Sequence, residues 1–169
     1  MPVIFSDSIL LVSEDDTELS ARAIIAVACF LLGSSFTKGI PIKGALAYGE
    51  QTADFTKSLY FGRPLIDAYT LQDELQMYGV VLHHSMENHL KQHGMIAKME
   101  GLCHCELPLK GCNVSHYCVS VQPFFDVKKD DPVSCISKMY DTVSGNTRRY
   151  VDNTIQLIKK IQPEQVNKS

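Results

Sequence analysis

The segment 17–35 constrains the fold of this chain more than any other part of its sequence. It has the composition of a helix, and residues 24–32 are apolar on nearly every face of that helix. A helix that is hydrophobic all round is normally buried. Asp15 and Glu18, just before the apolar run, resemble a capping box and indicate where the helix begins. We therefore expect a buried helix that has packing partners on several sides.

Short strand patterns and helical patterns follow one another along the rest of the chain without strict alternation. Strands are predicted at 2–12 (two strands joined by a turn near Asp7), 42–48, 58–61, 80–82, 102–109 and 116–122. Helices are predicted at 64–78, 89–94 and 133–161, the last broken near residues 144–145, and a polar tail at 162–169. Mixed elements with short connections indicate an α+β fold, in which helices pack on an antiparallel or mixed sheet.

The composition is that of an ordinary globular domain. Hydrophobic residues make up 45% of the chain and charged residues 21%, so a core can form without disulfides or a structural metal. The net charge of -3 and the lack of any large basic cluster argue against a nucleic-acid partner. We expect no membrane span, because the apolar run 23–33 is short and no signal-peptide pattern is visible. A cytoplasmic chain with reduced cysteines is the expectation.

Three short motifs occur in a fixed order in the first half of the chain. The first is the hairpin 4–9, Ile-Phe-Ser-Asp-Ser-Ile, which places the carboxylate of Asp7 where a hard ion such as Mg²⁺ could bind. The second is the glycine-containing strand 43–50, and the third is the strand-to-helix turn 59–71, which includes Gly62. Taken alone, Asp7 is more simply explained as an ordinary turn residue.

In this order and spacing, the three motifs resemble the class III nucleotidyl cyclase homology domain, in a divergent bacterial variant. The resemblance is clearest over residues 2–82 and implies a domain over 1–161. It implies a ferredoxin-like α+β sheet with helices packed on one face, and the family's first strand would lie before Met1. In that family two aspartates hold two Mg²⁺ or Mn²⁺ ions that activate a nucleoside triphosphate. The family's site forms between two such domains, so a homodimer is implied.

Transferred position by position, the resemblance implies an incomplete site. Asp7 matches the second metal-binding aspartate, and no residue of this chain matches the first. The family's transition-state Asn and Arg fall at Ile66 and Thr70, which supply neither an amide nor a charge, so no catalytic residue is assigned. Asp67 and Arg63 are nearby polar groups that could substitute. The implied nucleotide-binding residues are Phe5, Ser6, Ser8, Gly44 and Gly62.

Three functions remain open from the sequence. We expect a degenerate or truncated cyclase-like domain that binds a nucleotide, dimerises or has a regulatory role. The alternative is an active, divergent cyclase that makes a cyclic nucleotide from a nucleoside triphosphate with Mg²⁺ or Mn²⁺, because Asp7 and the glycine strand remain. The second alternative is a zinc-stabilised interaction module.

The zinc alternative rests on the last two predicted strands. If they pair about Gly111, a four-ligand site from Cys103, Cys105, His116 and Cys118 is conceivable, because residues two apart in a strand share a face. The Cys-x-Cys spacing is tighter than the usual zinc-finger spacing. We expect an ordinary hairpin with small buried thiols here instead of a metal site.

Histidines His83, His84, His89 and His93 form a second group. His89 and His93 would share one face of a helix, which is a spacing that can bind metal. No Glu follows His89 to complete the zincin pattern, so we expect a solvated polar segment.

Overall fold

The computed structural model of the chain describes residues 2–5, 8–54 and 56–166. The strands are β1 (Pro2–Phe5), β2 (Ser8–Leu11), β3 (Lys43–Leu46), β4 (Gln51–Asp54), β5 (Leu59–Gly62), β6 (Gly79–Leu82), β7 (Leu102–Pro108) and β8 (Asn113–Val119). The helices are α1 (Glu18–Thr37), α2 (Arg63–Glu74), α3 (His84–Gln92), α4 (Gln122–Lys128), α5 (Pro132–Ser137) and α6 (Arg148–Val166). Short 3-10 turns lie at Ile96–Lys98, Lys138–Asp141 and Gly145–Thr147.

The strands form one central sheet and two separate hairpins. In the central sheet β3, β6, β8 and β7 lie side by side in that order. β3 is parallel to β6, and the other two pairings are antiparallel. The parallel pairing needs a crossover, which the β4–β5 hairpin and α2 supply. This mixed sheet with its helices confirms the α+β class, while the cyclase-type, ferredoxin-like arrangement stays a prediction.

Both faces of the central sheet are covered. Val81 and Leu82 are adjacent in β6, so their side chains point to opposite faces, and both are completely buried. Leu82 belongs to the larger core, together with α1, α4 and α5. Val81 belongs to a smaller cluster that includes Leu71 of α2 and Leu157 of α6. The expectation that the helices pack on one face is therefore wrong, because the strands are apolar on both sides.

Helix α1 confirms the predicted helix but is not buried all round. Its N-cap is Thr17, whose hydroxyl accepts a hydrogen bond from Ser20 N–H at 3.3 Å. One face, which includes Ile25 and Phe36, is buried in the core, whereas Phe30 on the other face is 61% exposed. Among the described residues α1 alone is long and apolar enough to cross a bilayer. A core helix has the same length and composition, so no clear membrane span is shown.

Helix α2 is shorter than predicted and ends before Leu75. Leu75 is extended and completely buried, and it forms an isolated β-bridge with Leu109. Further along, Tyr78 N–H donates to the hydroxyl of Thr154 at 2.9 Å. These long-range contacts override the local helical pattern, so Gly79 begins β6 instead of ending a helix.

Three other local predictions need correction, and one is confirmed. Residues 51–54, predicted as a loop, form β4 because all of them pair with β5. Gln122, predicted as the end of a strand, begins α4, with Pro123 in its first turn. Helix α6 continues into the predicted polar tail as far as Val166. The break predicted near residues 144–145 is confirmed, since two 3-10 turns separate α5 from α6.

Candidate functional site

The hairpin that carries the implied metal ligand forms as predicted, because β1 and β2 pair along their whole length. Phe5 is the last residue of β1. Ser6 and Asp7 lie outside the described residues, so the metal ligand that the resemblance implies stays a prediction.

The other three implied nucleotide-binding residues lie in three different sheets, in β2 (Ser8), β3 (Gly44) and β5 (Gly62). Gly62 has a φ of 156°, and a Cβ there would lie 2.8 Å from Cα of Gln51. The β4–β5 hairpin therefore needs a glycine at this position for its own packing. At Gly44 a Cβ would only make an ordinary contact of 3.7 Å with Val80. Gly62 thus has a structural role that requires no nucleotide.

A cleft of about 320 Å³ lies where the chain after β2 approaches the segment between β3 and β4. Its walls carry the carboxylates of Glu14, Asp15, Asp16 and Glu50, and its described lining includes no lysine or arginine. The hydroxyl of Tyr48 donates to Asp16 at 3.3 Å. A triphosphate in this cleft would meet charges of its own sign unless metal ions offset them.

The positions that the resemblance assigns to transition-state stabilisation lie next to exposed apolar side chains. On α2, Ile66 is 62% exposed and Tyr69 is 68% exposed. On the preceding strand β5, Leu59 is 48% exposed and Phe61 is 54% exposed. Thr70 is exposed as well. We refer to Leu59, Phe61, Ile66 and Tyr69 as the β5–α2 surface.

The two polar side chains that could substitute for the missing Asn and Arg bind each other. Arg63 Nε donates to Asp67 Oδ1 at 2.7 Å, across one turn of α2. The second oxygen of Asp67 lies 4.0 Å from Nδ1 of His83. Since the Arg63 side chain is 83% exposed, this ion pair adds little to stability. The ion pair does keep the Arg63 guanidinium and the Asp67 carboxylate in contact with each other.

The β7–β8 hairpin brings three thiols together. Its strands pair at seven consecutive positions, with Cys103 opposite Cys118 and Cys105 opposite His116. The Sγ atoms of Cys103 and Cys118 are 3.1 Å apart, and those of Cys105 and Cys118 are 3.5 Å apart. All three sulfurs lie within 4.8 Å of one another. We refer to Cys103, Cys105 and Cys118 as the thiol cluster.

Hydrogen bonding determines the ionisation of the thiol cluster. Hydrogen bonds with Cys103 and Cys118 lower the pKa of Cys105 to about 4, although burial acts to raise it. Hydrogen bonds with Cys103 and Cys105, together with burial, raise the pKa of Cys118 well above its usual value. The hydrogen bonds therefore favour a thiolate at Cys105 and a protonated thiol at Cys118.

His116, which the sequence suggested as a fourth ligand, has a different partner. Its Nδ1 lies 2.9 Å from Oε1 of Glu87, and the same oxygen accepts Tyr117 N–H at 2.9 Å. Lys91 Nζ donates to the other oxygen of Glu87 at 3.3 Å. Burial acts to raise the pKa of Glu87, but the hydrogen bonds from Tyr117, His116 and Lys91 outweigh it and lower the pKa. No sequence pattern marks Glu87, because its partners on β8 are distant in the chain.

The histidine-rich segment is solvated as predicted at His84 and His93, but not at His89. α3 begins at His84, and His89 is only 5% exposed. The ring of His89 stacks on that of Tyr48 with centroids 3.8 Å apart, and the ring of His93 lies 4.6 Å from it. Within the described part of the chain, only the thiol cluster brings three or more potential metal ligands to one point.

Comparison of the chain with protein-family models, with curated proteins and with solved structures finds no match. The function of the chain is therefore inferred from its own residues and their geometry.

Proposed function

We propose that this chain is a non-catalytic domain of the class III nucleotidyl cyclase type, which associates with a second copy of itself through the β5–α2 surface. The proposal rests on the apolar character of that surface at the positions where the family resemblance implies catalytic polar residues. Ile66 occupies the Asn position and is 62% exposed. Exposed apolar patches on a folded domain mark interaction surfaces more often than catalytic ones.

The absence of catalysis follows from the side chains near α2. Ile66 and Thr70 cannot donate to a developing phosphate charge, and each such donor contributes about 10²- to 10³-fold in rate. Arg63 and Asp67 are bound to each other, so neither is directed at a substrate. The cleft with four carboxylates, described above, disfavours a polyanionic ligand.

A second copy of the chain is the occupant that agrees best with the surface. The four side chains that define it carry no charge, so two copies can face each other about a two-fold axis without like-charge repulsion. The family resemblance implies the same mode of association, since its sites form between two domains.

The association can be tested by sedimentation velocity over a wide concentration range, on the wild-type chain and on Ile66→Glu. A charge buried without a partner costs several kcal/mol, so we expect the dimer of Ile66→Glu to be at least ~100-fold weaker. The matched control is Val127→Glu on α4, because Val127 is 81% exposed and lies outside the β5–α2 surface. A wild-type chain that stays monomeric at every concentration would rule out the association, as would equal weakening by both variants.

The lack of catalysis needs a separate experiment. The wild-type chain is incubated with ATP, GTP, CTP or UTP and Mn²⁺, and cyclic monophosphates are measured by mass spectrometry. We expect no cyclic product. Product that disappears in Asp7→Ala would overturn this part of the proposal and establish the chain as an active, divergent cyclase.

A further inference from the structure

The thiol cluster has no part in the proposed function, yet it is the most organised group of reactive side chains among the described residues. Two cysteines side by side are enough for a disulfide. Three sulfurs that converge from two strands offer one ligand more than a disulfide uses. Thiophilic metal ions select soft thiolate ligands, and three that converge can hold one such ion.

The sulfur-to-sulfur distances suit a single shared ion. With metal–sulfur bonds of about 2.3 Å, sulfurs around one ion are about 3.8 Å apart in a tetrahedral site and about 4.0 Å apart in a trigonal site. The observed separations are 3.1 Å and 3.5 Å, and the third is at most 4.8 Å. The two measured separations are shorter than the required spacing. An ion would therefore bind after side-chain rotations that move the Cys118 sulfur away from the other two sulfurs, and the strands need not move.

The backbone holds the three ligands in place before any ion arrives. Cys103 and Cys105 share a face of β7, and Cys118 is directly opposite Cys103 on β8. The seven paired positions of this ladder fix the three Cβ atoms relative to one another. Little ordering is therefore left to be done on binding, which favours affinity.

The three cysteines of the thiol cluster differ in their exposure to solvent. Cys118 is 1% exposed and belongs to the same buried cluster as Leu107 and Leu157, which are 0% and 7% exposed. Cys103 and Cys105 are half-buried, so the β7 side of the cluster is partly accessible to solvent. An ion can enter from that side and remain shielded on the other.

We propose that Cys103, Cys105 and Cys118 bind one thiophilic d¹⁰ metal ion through three thiolates. His116 is not included, because only the three sulfurs converge within 4.8 Å of one another. Three sulfurs alone satisfy Cu⁺, whereas Zn²⁺ would add a water molecule as its fourth ligand. Hard ions such as Mg²⁺ prefer oxygen donors and are excluded from this site.

The test uses the whole chain, stripped of metal by a chelator and kept under anaerobic conditions with a reductant that does not bind metals. Zn²⁺ and Cu⁺ are added in separate titrations, each in competition with a coloured chelator specific for that ion. Native mass spectrometry gives the number of ions bound per chain. The variants are Cys105→Ser and Cys103→Ser, which change half-buried positions, and the matched control is Cys112→Ser in the exposed turn between the strands.

We expect one ion per chain for the wild type and for Cys112→Ser, with the same affinity. Cys105→Ser and Cys103→Ser should each bind at least ~100-fold more weakly, while their circular dichroism spectra remain those of the wild type. The titration that gives the tighter binding distinguishes Cu⁺ from Zn²⁺. The proposal is overturned if neither ion binds stoichiometrically, or if Cys112→Ser weakens binding as much as Cys105→Ser. It is also overturned if peptide mapping shows that a Cys103–Cys118 disulfide persists under the reductant.

Discussion

Replacing Glu87 with Gln should remove the negative charge of a buried carboxylate that accepts three hydrogen bonds. Glu87 is 7% exposed, and its carboxylate accepts three hydrogen bonds, two of them at 2.9 Å. Gln keeps an oxygen for Tyr117 N–H but loses the negative charge that attracts His116 and Lys91. A hydrogen bond to a charged buried group contributes about 1.5–3 kcal/mol to stability. The half-exposed Lys91 contributes less, about 0.3–0.5 kcal/mol.

We therefore expect Glu87→Gln to reduce the free energy of unfolding by about 2–3 kcal/mol at pH 7. The measurement is urea-induced unfolding followed by circular dichroism, with the slope of free energy against urea unchanged. For a chain of this size, the thermal midpoint should fall by about 4–12 °C. The matched control is Glu106→Gln, because Glu106 lies exposed on β7. We expect the control to change stability by less than about 0.5 kcal/mol.

The pH dependence gives a second check with a defined sign. The folded pKa of Glu87 is lowered relative to its unfolded value, which is about 4.3 for a free Glu. The stability that comes from this charge is therefore present above the unfolded pKa and is lost as the pH falls through the folded pKa. The part of the stability difference that comes from the Glu87 charge should be present above the unfolded pKa and should shrink below about pH 4. A difference that stays constant down to pH 3, or one below about 0.5 kcal/mol at pH 7, would refute this account of Glu87.

Two further substitutions test the packing and the buried hydrogen bonds. A Cβ added at Gly33 would lie 2.4 Å from the ring of Phe124, so Gly33→Ala should destabilise the chain by about 1–3 kcal/mol even though alanine favours helices. An unchanged urea midpoint would show that the ring can move aside. Thr154→Val removes the hydroxyl that accepts Tyr78 N–H at 2.9 Å, so we expect a loss of about 1–3 kcal/mol. Equal stability of the two proteins would mean that water or another acceptor satisfies this N–H.

Local patterns predicted the β1–β2 and β7–β8 hairpins but missed β4–β5, and they succeeded where register depends on nearby residues. Alternation and the turn at Gly111 were enough to place Cys103, Cys105 and Cys118 on one face, and the β7–β8 ladder confirms this. The predicted end of α2 was wrong because it depends on residues that are distant in the sequence. The helical pattern around Leu75 is interrupted by a β-bridge to Leu109, thirty-four positions further along the chain, which no local pattern reveals.

The chemistry of the candidate sites depended on long-range packing even more strongly. His116 was suggested as a metal ligand because it has the correct spacing from Cys118 in a strand. The structure gives it Glu87 as a partner, from a helix that the sequence predicted only in part. His89 was expected in solvent, and the stacking of Tyr48 on its ring buries it. In each case the histidine's partner comes from another element of the fold, so the local sequence does not reveal it.

The thiol cluster and the β5–α2 surface lie on opposite sides of one helix, and this bears on how the two proposals relate. The inner face of α2 contributes Leu71 to the buried cluster that contains Cys118, while Ile66 on its outer face is exposed. Tightly packed clusters transmit small displacements, so an ion that moves the Cys118 sulfur away from the other two acts on the packing of α2. Linkage then requires that any factor by which the ion changes dimer affinity equals the factor by which dimerisation changes ion affinity. Sedimentation of the ion-free and ion-loaded chain measures that factor, and a value of one would show that the two sites are independent.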